Sequence, residues 1–142
     1  MTVSRARSGS AAVEFALILL PFILLLFGGI EFGRMIWTRN ALQQTAVSTA
    51  RCMGVRQTPC ATGGTIDIAR SVTFARTRAR SYSVAITAAA VAATASGTCS
   101  GQSGLARVTI TTNFVTVVPL LRNFLGAVHP ITVTACFPNQ TP

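Results

Sequence analysis

Residues 9–33 read GSAAVEFALILLPFILLLFGGIEFG, and the fold turns on this stretch. From Ala11 to Ile30 there are twenty residues with one charge, Glu14. At a rise of 1.5 Å per residue such a helix spans about 30 Å, the thickness of a bilayer's hydrocarbon core. A carboxylate inside a spanning segment costs roughly 2.5–3.5 kcal/mol, so Glu14 needs a partner and a purpose. No Arg or Lys lies between Ser8 and Glu31, and the partner must come from elsewhere in space. Pro21 should kink the helix unless a neighbouring helix takes up the carbonyl it frees.

Upstream of the run stand Arg5 and Arg7, the basic flank that a secretory signal peptide would also carry. The downstream end argues against that reading, because Phe27-Gly28-Gly29-Ile30-Glu31-Phe32 offers no A-x-A-like cleavage site. Beyond it, Trp37 to Arg51 contains no Gly or Pro, so the helix is expected to continue from about residue 10 to 53 before Gly54 and Pro59 stop it. Ala41, Thr45, Ala46 and Ala50 give this half a small-residue face, suited to other helices or to the chain's own sheet. The whole chain, 142 residues with a formal charge of +9, fits one small domain plus an anchor. Half of its residues are apolar, which excludes a disordered tail.

A cut before the apolar run suits the residues better than one after it. The stretch Gly9-Ser10-Ala11-Ala12-Val13-Glu14-Phe15 resembles a type IV prepilin processing site, with a short basic leader ending in Gly and Glu at the fifth mature position. With Ala16-Leu17, Pro21 and Gly29-Ile30-Glu31-Phe32-Gly33-Arg34 included, the pattern resembles the TadE-like family, pseudopilins or minor pilins of the tight-adherence (Flp) pilus. The resemblance covers about residues 8–55. It implies a prepilin peptidase that cuts between Gly9 and Ser10, removing Arg5 and Arg7 and exposing an amine on Ser10. It also implies that Glu14, with Phe15 beside it, pairs with the amine of an adjacent subunit. Such pairing offsets the cost of burying either charge alone. Glu31 belongs to the same set of assembly residues. The implied partners are the major Flp pilin, other pseudopilins, the inner-membrane Tad assembly machinery and inner-membrane lipid.

The domains expected are a leader (1–9), a transmembrane helix (10–33) and a periplasmic α+β domain (34–142). Arg34, Arg39 and Arg51 follow the span against two arginines before it, a mild signal against an outside C-terminus. Long domains translocate largely regardless of flanking charge, and four cysteines suit an oxidising side, so the domain is placed in the periplasm.

Cys52, Cys60, Cys99 and Cys136 all follow the apolar run, as a disulfide framework would. Their spacing lacks the C-x2-4-C of a zinc site, so neither a metal nor a cofactor is expected. Gly63-Gly64 opens a second segment, Thr65 to about Arg80, with Ile66, Ala69, Val72 and Thr73 at helical spacing. After it the period becomes two, giving three antiparallel strands at about 82–94, 106–118 and 131–137. Ser96 to Gly104 forms the first turn and Pro119 to Pro130 the second connection. Such a meander brings Cys136 toward Cys99, and of the three pairings Cys52–Cys60 with Cys99–Cys136 is preferred. The fold class is therefore α+β: a long N-terminal transmembrane helix running into a second helix and a three-stranded antiparallel sheet.

Catalytic chemistry finds no footing in these residues. The single His, His129, is expected in a connection, and one Asp without any Lys furnishes no triad. The twelve basic residues are all Arg and lack the aromatic interleaving of single-strand binders, which argues against nucleic acid. The competing class is a periplasmic anionic-ligand or DNA-binding module using Arg70, Arg76, Arg78 and Arg80. Arg76, Arg78 and Arg80 sit at the end of the second helix, where cations also suit the helix dipole. The composition describes a chain that assembles rather than one that turns over substrate.

Overall fold

The computed structural model describes residues 6–118, 122, 126 and 128–140. Expectations for residues 1–5 and for most of the 119–127 connection lie outside the described residues. The described chain falls into two compact units, one comprising the N-terminal stretch to Arg34 with Thr116–Ala127, the other Met35–Val115 with Val128–Pro142.

Helix α1 (Ala6–Gly54) is assigned without a break through Pro21. In the first unit its residues from Gly9 to Phe27 are exposed, and the apolar window has none of its residues buried within the chain. This helix is long and apolar enough to cross a membrane.

The second unit is built on the other half of α1. Leu42, Thr45, Ala46, Thr49, Ala50 and Met53 recur at helical spacing and are fully or almost fully buried. Of the two uses open to the small-residue face, the chain's own core takes these positions. Thr45 and Thr49 can be buried because each hydroxyl donates to the carbonyl four residues back, at 2.8 Å. Facing them are Ala106, Val108 and Ile110 from one strand and Ile131, Val133 and Ala135 from the next. Helix α2 (Ile68–Ser81) adds Ser71, Ala75 and Ala79, one residue per turn.

Two short strands precede α2: β1 (Ala61–Thr62) and β2 (Thr65–Ile66). Between them Gly63 and Gly64 both have positive φ, 58° and 76°, as a two-residue hairpin loop of mirror-image type requires. These glycines close a hairpin, whereas the periodicity had placed Thr65 at the start of a helix. The helix starts instead after Asp67, whose side chain accepts from the Arg70 N–H at 3.1 Å.

The sheet is β3 (Val91–Cys99), β4 (Gln102–Val115) and β5 (Val128–Pro138), antiparallel in that order. The first strand thus begins nine residues later than the alternation from Tyr82 suggests. Tyr82, Ser83 and Val84 close α2 through N–H bonds to Ala79 and Arg80 carbonyls, and Ser83 takes a φ of 61°. Val84 and Ile86 still point inward and Ser83 and Ala85 outward, so the segment alternates in burial without pairing to a strand. The expected turn at 96–104 shrinks to Ser100-Gly101, again with positive φ at both residues, while Gly97 lies inside β3 at register shifts. His129 is not in a connection: it sits in β5 opposite Phe114.

Candidate functional site

The anchor half of α1 carries the residues singled out for processing and assembly. A Cβ added at Gly9 would meet nothing within 4 Å, so no packing in the described chain requires a glycine there. Ser10, Glu14 and Phe15 are exposed, and Phe15 is one of a continuous series of exposed large apolar side chains from Val13 to Phe32. Glu14 makes no hydrogen bond or ion pair among the described residues. Among the described residues no cation stands beside this carboxylate, and in lipid it would need one.

Glu31 is different. It lies 17 residues after Glu14, about 26 Å along the helix axis, and is buried. One carboxylate oxygen accepts the Arg34 guanidinium at 2.6 Å and the other accepts the backbone N–H of Val117 at 3.0 Å. The sequence grouped the two acids together, yet the structure brings only Glu31 to partners within the chain. Arg34, three residues on, is visible from helical spacing; Val117, 86 positions away, is not.

The cysteines form two disulfides, Cys52–Cys60 with Cα atoms 5.8 Å apart and Cys99–Cys136 with Cα atoms 6.5 Å apart. Cys52 is buried in the last turn of α1 and Cys60 precedes β1, so the first bond fixes the turn after the helix. Cys99 lies at the end of β3 and Cys136 on β5, with β4 between those strands in the sheet order. Among the described residues no group of three or more His, Cys, Asp or Glu is placed to hold a metal.

The α2 arginines do not make one face. Arg70 and Arg78 each precede a buried position, Ser71 or Ala79, while Arg76 and Arg80 each follow one, Ala75 or Ala79. At about 100° per residue they flank the buried stripe on both sides. Two of them are also engaged locally: Arg70 donates to the Thr58 and Ala61 carbonyls at 3.1 and 3.3 Å, and Arg78 lies over the Tyr82 ring at 5.5 Å. The four arginines thus spread over about 200° of the circumference of this helix rather than facing one way.

These features define an α+β protein with one helix fit to cross a membrane and a disulfide-braced domain. Residues 9–51 match the family model described as TadE, TadE-like protein, and the match begins at Gly9. The family is one of Tad-pilus-associated membrane proteins. No curated protein and no solved structure matches the chain.

Proposed function

We propose that the chain is a membrane-anchored pseudopilin, or minor pilin, acting in assembly of a Tad (Flp) type IV pilus used for adhesion. The observation that carries this reading is that, among the described residues, nothing packs against Gly9 or bonds to Glu14, although both sit at the head of a helix whose apolar surface is exposed from Gly9 to Phe27. A carboxylate on a lipid-facing helix is costly unless a cation partners it. A prepilin peptidase cuts between Gly9 and Ser10. The new Ser10 amine and Glu14 then meet the carboxylate and amine of neighbouring subunits, the major pilin and other pseudopilins among them, under the inner-membrane Tad machinery. Gly29 and Gly33, four apart and with nothing within 4 Å of either Cβ position, leave a notch for close approach of a second helix. Until assembly the protein rests in the inner membrane as a single-pass chain with its domain in the periplasm.

Intact-mass measurement with and without a prepilin peptidase tests the cut. The expected product begins at Ser10, and Gly9→Leu keeps Met1. Glu14→Ala is expected to be processed normally but lost from sheared filaments. A chain that stays at Met1 beside an active peptidase, or filaments unaffected by Glu14→Ala, refutes the reading.

A further inference from the structure

Glu31 directly follows the apolar run Ala11–Ile30, and its carboxylate takes the N–H of Val117. Both residues belong to the same compact unit, apart from the sheet domain. Val117 is therefore held at the level where the bilayer-compatible part of α1 ends. The stretch that it enters is itself apolar: residues 115–128 read VTVVPLLRNFLGAV, with one charge, Arg122. The Val117 side chain is 67% exposed, so the chain leaves it without apolar cover. Backbone at membrane depth is tolerated only if its polar groups are satisfied, and the Glu31 carboxylate does that for the Val117 N–H. Arg34, also on that carboxylate, keeps Glu31 from standing as an unpaired charge near lipid.

We propose that the chain at Val117 is a second membrane contact, lying at the boundary between headgroups and acyl chains at the Glu31 end of α1. In this arrangement Val117 faces lipid and Glu31 is the positioning residue. The partner is a phospholipid leaflet, because Val117 is tied to the helix that spans it. This inference rests on the reading of α1 as a bilayer anchor.

The test uses the full chain with Trp37→Phe, so that one tryptophan reports. Val117→Trp and, separately, Phe22→Trp are reconstituted in vesicles of phosphatidylcholine and phosphatidylglycerol brominated either near the headgroup or near the chain end. Both positions are exposed, so a larger ring is accommodated. Phe22→Trp is expected to lose emission to the deep bromines, and Val117→Trp to show blue-shifted emission that is lost to the shallow ones. Adding Glu31→Ala should red-shift Val117→Trp and abolish its shallow quenching, while Glu31→Gln, which keeps an acceptor oxygen, should retain it. If Phe22→Trp is quenched but Val117→Trp emits red and yields to aqueous iodide, the inference fails and the anchor stands. If Phe22→Trp is not quenched, the anchor reading fails and takes the inference with it. Blue-shifted Val117→Trp emission indifferent to bromine would mean that protein covers the site and would overturn the lipid contact. Quenching unchanged by Glu31→Ala would remove the positioning role.

Discussion

Glu14 and Glu31 are the same residue type on one helix, and their surroundings separate them. Glu31 is buried at 6% exposure with two donors, whereas Glu14 is exposed without a partner among the described residues. Glycines divide in the same way. A Cβ on Gly54 would stand 2.6 Å from Phe137 Cδ1 and 2.8 Å from the Pro138 carbonyl oxygen, and the Gly54 carbonyl accepts the Gln140 N–H at 2.9 Å. Gly54→Ala must push the end of β5 off the end of α1, and a loss of about 1–3 kcal/mol is expected by denaturant unfolding. Gly9→Ala meets nothing and should leave the unfolding midpoint unchanged. Equal effects at the two positions would contradict this account. Gly54 is legible in the sequence as a helix stop, but its steric reason is not, because Phe137 lies 83 positions away.

Among the elements, α1 and the sheet order could be read from local pattern, since an uninterrupted apolar run and a period of two are properties of short windows. The end of α1 near Gly54 could be read as well, but the boundaries of the first strand and of the second helix could not. The 82–90 segment alternates in burial as a strand does, yet β4 pairs there with residues from Val91 onward, leaving Tyr82 to Ala90 to close α2 and form a 3-10 turn. Gly63-Gly64 and Ser100-Gly101 are hairpin signals in hindsight, two residues between short extended runs. The disulfides sort by loop size. Chain entropy gives about 2.5 kcal/mol for the 8-residue separation of Cys52–Cys60 and about 4 kcal/mol for the 37 residues of Cys99–Cys136. Denaturation of Cys52→Ser/Cys60→Ser and Cys99→Ser/Cys136→Ser chains is therefore expected to show the larger loss in the second. The opposite order would mean that native packing, not loop closure, sets their worth.

At the scale of the whole molecule, what could be read was the division of labour: an apolar helix carrying an acid, then a cysteine-bearing α+β body. The tie between Glu31 and Val117 could not be read, because nothing local to either residue marks the other. The Cys99–Cys136 bond has a mechanical consequence when the body is stretched from its two termini. Tension then travels through the sulfurs and bypasses the residues between them. At about 3.4 Å per extended residue, that withholds about 120 Å of contour until the bond is reduced. Single-molecule pulling of a Cys52→Ser/Cys60→Ser chain, which keeps only this bond, is expected to give unfolding steps shorter by that length oxidised than reduced. A body stitched in this way bears load as a short tether rather than paying out like a spring.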